Sequence, residues 1–372
     1  MYLDLDTAAT FSVVEDTRKP LRGRFGPLRG TTSLTLTIRD IIEAASRYMY
    51  VRGKSRPERD LVHEWKVILA WHLQTFWDVD MAVPMINTAF SSQSVYSSEH
   101  HKWSGEHMAG GVSLLLASRL PSVRVARCEF FAGGGLSRPD FVLPIHVAKK
   151  RMVGVEARLR QHSPKLSMQY DIKPITDKKV GARAAYGFQN ILGVILQYGP
   201  PYKTRPESRS RIVIFDQEEP VDPIPAIRRR SAVLSNYERI LQDAGLVSHA
   251  EIVQAVLQHI LTHDGRFPPK AIYRFPTQLN PDDAQERLAI GNAIYAGRRF
   301  SVGSEGAVGS LGAHGFVGVN QEVLEIIQSA DWPKLMWYRD LNEMTGMPGA
   351  TILNDGYCST FSFGKDSYQS YR

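Results

Sequence analysis

The fold of this chain is decided by the stretch SRPDFVLPIHVAKKRMVGVEARLR, residues 137–160. Two apolar runs, 141–147 and 152–159, flank a basic tip at 149–151. Apolar runs on either side of a short polar tip are typical of a β-hairpin. The sequence therefore predicts two antiparallel strands that meet at this tip.

Two carboxylates belong to the predicted hairpin, because Asp140 starts the first strand and Glu156 lies inside the second. Side chains alternate across a strand, so Glu156 and Arg158 share one face, whereas Val155 and Ala157 share the other, apolar face. Two interpretations stay open. In one, the carboxylates hold a divalent metal ion beside a phosphate. In the other, Glu156 and Arg158 form an ion pair, and Asp140 caps a turn.

Further elements surround the hairpin in a definite order. Helical spacing predicts a helix over 105–120, and partial alternation predicts a strand over 123–131. After the hairpin, the same arguments predict a second helix over 180–198 and a short buried strand over 211–216. The predicted order is helix, three strands, helix, strand.

This order and the hairpin resemble the core of the PD-(D/E)XK nuclease superfamily, whose pattern is Pro-Asp, a variable gap, then Asp/Glu-X-Lys. Pro139-Asp140 matches the first half and Glu156-Ala157 the start of the second, while Arg158 stands in place of the lysine. The resemblance covers residues 99–217. It implies an α/β protein with a restriction-endonuclease-like αβββαβ core, in which a mixed central sheet is flanked by additional helices.

The resemblance also implies the residues of a nuclease site. Glu106, Asp140 and Glu156, together with the main-chain carbonyl of Ala157, would hold Mg²⁺ or Mn²⁺, and Glu99 is a less well placed candidate than Glu106. The catalytic residues would be Asp140, Glu156 and Arg158. Because a guanidinium stays protonated, Arg158 would stabilise charge in the transition state and would not act as a base.

The charge of the chain suits a nucleic acid. The formal net charge is +7 and the isoelectric point is about 9.3. Clustered cations bind a phosphate backbone because each neutralised phosphate releases counterions. For each cluster, including Arg228-Arg229-Arg230, the alternative is a solvated basic surface. Around the hairpin the predicted contacts to nucleic acid are Lys149, Lys150, Arg151, Arg160 and Gln189, the last by resemblance to a frequent companion in the family.

Composition limits the class of protein. Only two cysteines occur, no run of about eighteen apolar residues is present, and the first residues are acidic. These features argue against a disulfide framework, a membrane span and a secretory signal. An intracellular protein is expected, cytoplasmic in general and nuclear if the source is eukaryotic.

Four regions are predicted along the chain. They are a basic Gly/Pro-rich segment that is extended or mobile (1–32), a helical N-terminal region (33–98), the nuclease-like core (99–217) and a mainly helical C-terminal region (226–372). Individual helices are predicted at 34–51, 58–76, 231–244, 248–263 and 282–296, with a short strand at 271–275. His259 and His263 lie one helical turn apart and are interpreted as ordinary helix residues, because no third metal ligand is recognisable.

The expected activity is metal-dependent hydrolysis of phosphodiester bonds, most of all in DNA, in a restriction, defence, repair or mobile-element setting. The alternative is a catalytically inactive protein of the same fold that binds nucleic acid or assembles a complex. A homodimer or a protein-complex subunit is the expected assembly, since cutting two strands with one site each favours two-fold symmetry.

Overall fold

The computed structural model describes residues 5–6, 8–17, 20–21, 28–52, 98–119, 141–144, 152–161, 190–198, 211–216, 226–270, 283, 286–302, 313–342 and 349–363. Within these ranges the protein is a mixed α/β structure with two sheets. Six strands form the first sheet: β1 (Ala8–Glu15), β2 (Ser33–Thr37), β3 (Phe141–Pro144), β4 (Met152–Gln161), β5 (Asn190–Tyr198) and β6 (Arg211–Asp216).

The first sheet is mixed, with the strand order β2-β1-β6-β5-β4-β3. The pairs β1–β6 and β4–β5 are parallel, and the other neighbours are antiparallel. Because β1 comes from the first residues of the chain and lies between β2 and β6, the expectation of an extended or mobile segment over 1–32 is wrong for 8–15.

The second sheet is antiparallel throughout, with the order β10-β11-β9-β8-β7. Its strands are β7 (Glu286–Ile290), β8 (Ala293–Val302), β9 (Ala313–Asn320), β10 (Thr351–Ile352) and β11 (Tyr357–Phe363). The C-terminal region, predicted as mainly helical over 226–372, thus carries a five-stranded sheet in addition to its helices.

In the described part of the chain, six helices pack with the two sheets. They are α1 (Ile38–Arg52), α2 (Ser98–Ser118), α3 (Ala226–Asp243), α4 (Val247–Thr262), α5 (Gln321–Gln328) and α6 (Trp332–Trp337). The helices predicted at 105–120, 231–244 and 248–263 are confirmed. The helix predicted at 34–51 begins only at Ile38, because β2 precedes it. No helix within the described ranges is both long and apolar enough to cross a membrane.

The start of α1 is fixed by a reciprocal capping pair. The main-chain N–H of Thr37 donates to the Asp40 carboxylate at 3.0 Å, and the N–H of Asp40 donates to the Thr37 hydroxyl at 3.1 Å. Such a box satisfies two amides that the first turn of a helix leaves without partners. It explains why the chain changes from strand to helix at this point.

The helices α1 and α2 cross at very close range. A Cβ added at Gly111 of α2 would lie 2.6 Å from the main-chain nitrogen of Ala45 in α1. Met108, Val112 and Leu115 of α2 are buried in the main core. This core is one continuous cluster that includes side chains of both sheets and covers one face of the first sheet.

Two predicted helices are replaced by strands. Residues 190–198, predicted as part of a helix over 180–198, form β5, whose interior residues Leu192, Val194 and Ile195 are fully buried. A strand buried on both faces has a continuous apolar run, and periodicity does not distinguish such a run from a buried helix.

Residues 286–296, predicted as helix, form the β7–β8 hairpin around Gly291-Asn292, where Gly291 has a φ of +58°. Glycine is favoured in tight hairpin turns because it accepts positive φ.

The predicted strand at 211–216 is confirmed as β6. The predicted strands at 123–131 and 271–275 and the predicted helix at 58–76 lie outside the described residues.

Candidate functional site

The predicted hairpin is present as β3 and β4. Their antiparallel ladder pairs Phe141 with Val155 at one end and Pro144 with Met152 at the other. On its opposite side β4 pairs in parallel with β5 through Gln161. The second half of the motif therefore lies on an internal strand of the sheet, next to the end of β3.

The two faces of β4 differ as the alternation predicts. Val155 is fully buried and Ala157 is 8% exposed, and both belong to the main core. Glu156 occupies the alternate position and is paired with Gly193 of β5, while Arg158 is paired with Ile195. The apolar face of the strand is confirmed. Glu156 and Arg158 occupy the alternate positions of β4.

On the sheet face of the Glu156 register, the neighbouring strands are closely packed. Ile195, Val213 and Phe215 form a second buried cluster on that side of β5 and β6. A Cβ on Gly193 would come within 2.1 Å of the Phe215 ring, so the ring lies directly over this glycine. The absence of a side chain at residue 193 is thus a packing requirement beside the candidate site.

The structure describes part of the predicted site. Glu106 lies on α2, and Glu156, Ala157, Arg158 and Arg160 lie on β4, although only the main chain of the four charged residues is described. The other predicted residues fall outside the described ranges: Asp140, Lys149, Lys150, Arg151 and Gln189. Because α2 packs on the face of Val155 and Ala157, the helix of Glu106 and the Glu156 register belong to different faces of β4.

Among the side chains that the structure describes, no group of three His, Cys, Asp or Glu residues is arranged to hold a metal ion. The three carboxylates of the predicted site are not among those side chains. The donor set itself can be tested by its chemistry. Two carboxylates of one hairpin and a main-chain carbonyl are hard oxygen donors, which is the set that Mg²⁺ prefers.

A second group of functional side chains was not predicted from the sequence. It is a buried row of charges on α1, here called the α1 polar seam, which comprises Arg39, Asp40, Glu43 and Arg47. All four are at most 4% exposed. Helical spacing places them towards the C-terminal sheet, where each of them contacts a residue of 349–363.

Arg47 makes the deepest ion pair of this seam. Its Nη2 donates to Asp355 at 2.7 Å and to the side-chain oxygen of Asn236 at 2.8 Å, and its guanidinium lies 4.6 Å from the centre of the Tyr357 ring. Burial by itself would lower the pKa of Arg47, but the charge of Asp355 offsets this effect and leaves the pKa raised. Arg47 therefore stays charged inside the protein.

The acidic members of the seam accept hydrogen bonds from hydroxyl groups. Glu43 accepts from Ser359 and, at 3.3 Å, from Tyr357. Asp40 accepts from Thr351 at 2.7 Å. Buried carboxylates with such partners are satisfied groups of the fold, and they connect α1 to β10 and β11.

A buried carboxylate also organises the end of the second sheet. Asp340 accepts hydrogen bonds from Tyr295, Asn320 and Asn342. Burial, together with the charge of Asp340, raises the pKa of Tyr295 well above its usual value, so its hydroxyl stays protonated as a donor. This network is interpreted as structural because all its groups are paired.

Signals for the seam exist in the sequence but are weak. The box Thr37-x-x-Asp40 is a recognisable helix start. Charges at residues 39, 43 and 47 share one helix face, which is also the pattern of an ordinary solvated face. Their burial depends on partners hundreds of residues away, which local patterns do not reveal.

Comparisons with known proteins give no relative for this chain: no family model, no curated protein and no solved structure matches it.

Proposed function

We propose that this protein is a metal-dependent nuclease that hydrolyses phosphodiester bonds, DNA being the favoured substrate. The observation that carries the proposal is the register of the β3–β4 hairpin. Its last pair is Phe141 with Val155. The next residues outward along the two strands are Asp140 and Glu156, the two acids of the motif.

Covalent geometry limits how far apart these acids can be. Consecutive Cα atoms are about 3.8 Å apart, and paired residues of an antiparallel ladder are separated by about 4.5–5.5 Å. The Cα atoms of Asp140 and Glu156 are thus within about 13 Å at most, and continuation of the ladder by one step would bring them into direct opposition. With the ladder continued in this way, the two carboxylates would be within reach of a shared cation.

The order of the described elements supports the same fold family. Helix α2 precedes the β3–β4 hairpin, and residues 162–189 connect β4 to its parallel neighbour β5. A parallel neighbour requires a long crossover connection. By this order β5 takes the place of the last core strand, which was predicted at 211–216. The mixed sheet is consistent with a restriction-endonuclease-like core.

The proposed roles follow from the chemistry of each residue. Asp140, Glu156 and the Ala157 carbonyl would hold the metal ion, with Glu106 assisting. When bound, Mg²⁺ supplies polarisation of the phosphate and a lowered pKa of an attacking water. Arg158 would sit beside the phosphate as a fixed positive charge and would not accept a proton. The tip residues Lys149, Lys150 and Arg151, with Arg160 and Gln189, would contact the nucleic acid.

The second candidate function is nucleic-acid binding without cleavage by a protein whose motif has lost its chemistry. The observation that favours it is Arg158 itself, because a lysine at this position can serve both as a cation and as a proton acceptor, and arginine serves only as a cation. Under this alternative the basic residues of the chain bind nucleic acid or help to assemble a complex.

A cleavage assay separates the two functions. Supercoiled plasmid is incubated with Mg²⁺ or Mn²⁺ and the protein, beside Asp140→Ala and Glu156→Ala and the matched control Glu251→Ala, which removes an exposed acid of α4. Nicking that is lost in the first two variants and kept in the control supports the nuclease. Binding without nicking in all four proteins supports the alternative. Arg158→Lys adds a direct probe, since a decayed site would gain activity and an adapted one would lose it.

A further inference from the structure

A pocket on the C-terminal half of the chain has the composition of a ligand site. It lies between the start of α3, the turn after α4 and helix α6, and it holds about 570 Å³ of empty space, part of it open to solvent. Its lining residues are Arg229, Arg230, Val233, Phe267, Pro333, Met336 and Trp337. Small-molecule sites of proteins combine apolar walls with few polar groups, as this lining does.

The pocket has a buried base and accessible walls. Val233 and Met336 are buried, whereas Arg229, Arg230 and Trp337 are half-buried. The aromatic and cationic groups are therefore those that an incoming ligand meets. Among the described residues, two cations and no acidic residue line the pocket.

One of the two cations is held in place by the fold. The Nη1 of Arg230 donates to the main-chain carbonyl of Gly265, and its guanidinium lies 4.3 Å from the centre of the Phe267 ring. Gly265 has a φ of +79°, and a Cβ there would lie 2.6 Å from the main-chain nitrogen of Ile227. This turn packs so closely on α3 that the position of Arg230 is fixed before any ligand binds.

Arg230 still has N–H groups that can donate hydrogen bonds to an anion. A guanidinium carries five N–H donors, and the bond to Gly265 uses one of its nitrogens. Within the described part of the chain no carboxylate forms an ion pair with Arg230. Burial lowers the pKa of Arg230, and burial together with the charge of Arg230 lowers the pKa of Arg229. Two half-buried guanidinium groups near each other are stabilised by a negative ligand.

The N-terminal end of α3 adds to the positive electrostatic potential of the pocket. Arg229 and Arg230 belong to the first turns of α3, which has no acidic residue in its first turn. The N-terminus of a helix carries partial positive charge and favours phosphate groups. Trp337 offers an aromatic surface beside this end, and stacking on an aromatic ring is how proteins hold unpaired bases.

We propose that this pocket binds one nucleotide of a single-stranded nucleic acid, with its phosphate on Arg229 and Arg230 and its base against Trp337. The inference rests on the nucleic-acid-binding part of the proposed function but not on cleavage, since the pocket contains none of the motif residues.

The test is binding of a fluorescein-labelled oligodeoxythymidine, followed by fluorescence anisotropy in EDTA so that no metal-dependent cleavage takes place. Arg229→Gln is expected to weaken binding about tenfold and to reduce the salt slope by about one. Trp337→Leu is expected to weaken binding by about five- to a hundredfold. The matched control is Arg266→Gln, which removes an exposed cation next to the pocket and is expected to change the affinity less than about twofold.

Three competitors identify the source of the ligand. Unlabelled single strand should displace the probe best, a duplex of the same sequence less well, and thymidine monophosphate only at much higher concentration. Equal losses in Arg229→Gln and Arg266→Gln, or equal displacement by duplex or by a phosphopeptide, would overturn the proposal. Melting curves of each variant establish folding, and if Trp337→Leu does not fold, Arg229→Gln decides alone.

The binding assay and the plasmid-cleavage assay test the two proposals separately. If Asp140→Ala and Glu156→Ala keep the affinity for single strands but cut nothing, the pocket and the hairpin have separate roles. If the wild-type protein binds no single strand and still cuts, the pocket proposal is wrong and the nuclease proposal stands.

Discussion

Arg47 and Asp355 are 308 residues apart in the chain, yet they form an ion pair of 2.7 Å in which both side chains are at most 4% exposed. The pair fastens α1 to the loop between β10 and β11. Removing one partner from a buried pair leaves an uncompensated charge in a medium of low dielectric.

Asp355→Asn is therefore expected to lower the free energy of unfolding by about 3–5 kcal/mol. The matched control is Glu286→Gln, because Glu286 and Arg299 form a pair of the same length, 2.7 Å, whose side chains are each 50% exposed. An exposed pair contributes only about 0–1 kcal/mol. Urea denaturation of both variants measures the difference, and equal losses would contradict the role of burial.

Gly193 and Phe215 are expected to behave as a coupled pair. Gly193→Ala places a methyl group against the Phe215 ring, and such overpacking costs about 1–3 kcal/mol. Phe215→Leu makes room for it at the expense of a smaller side chain. The double variant should lose less stability than the sum of the two single variants, by about 0.5–3 kcal/mol. Strict additivity would show that the ring does not cover residue 193.

The stability of the protein should depend on pH through His249. Burial lowers the pKa of His249 from its ordinary 6.5 to about 4, and the charge of Asp283 opposes this only in part. The unfolded chain therefore binds a proton at a higher pH than the folded chain does. The stabilisation is complete above pH 6.5 and is lost as the pH falls towards 4, at a cost of about 3 kcal/mol.

His249→Asn removes this titration. The measurement is the free energy of unfolding from urea curves at pH 7 and pH 4, for the variant and the wild type. Other groups titrate in both proteins, so the difference between their pH slopes isolates His249. If the two slopes are the same, His249 is accessible to protons in the folded state.

Glu106 and Glu156 are expected to differ in their effect on cleavage. Glu156 is a predicted direct ligand on the hairpin, so Glu156→Gln should reduce cleavage at least a hundredfold, or about 2.7 kcal/mol. Glu106 belongs to a helix on the other face of β4 and is proposed to assist, so Glu106→Gln should cost about tenfold. Glu251→Gln, which changes an exposed acid of α4, is the control and should leave the rate unchanged. Initial nicking rates at several Mg²⁺ concentrations measure all three, and an unaffected Glu156→Gln would contradict the metal site.

The sequence was most informative where short-range patterns determine structure. The hairpin follows from the alternation around Glu156 and from the polar tip, and α4 follows from helical spacing. By contrast, β5 contains Ile191, Leu192 and Ile195 at helical spacing, and its burial on both faces removed the alternation that marks a strand. Gly291-Asn292 was a readable turn signal inside the stretch predicted as helix.

The candidate site is predictable to a similar extent. The strand positions of Glu156 and Arg158 follow from period-two alternation, and the backbone agrees with them. The meeting of three acids from separate elements depends on tertiary packing and stays a prediction. The contact of Glu43 with Ser359, 316 residues away, shows the general reason, because no local pattern contains information about so distant a partner.

The α1 polar seam has a consequence for synthesis of the protein. A nascent chain emerges from the ribosome in order, so α1 is made long before Thr351, Asp355 and Ser359 exist to pair with its charges. Until these residues arrive, the helix is left with acids and bases that water, and not protein, must solvate. Packing of α1 against β10 and β11 thus cannot begin before residues 351–359 have been synthesised, and until then the unfinished chain is a natural client for chaperones.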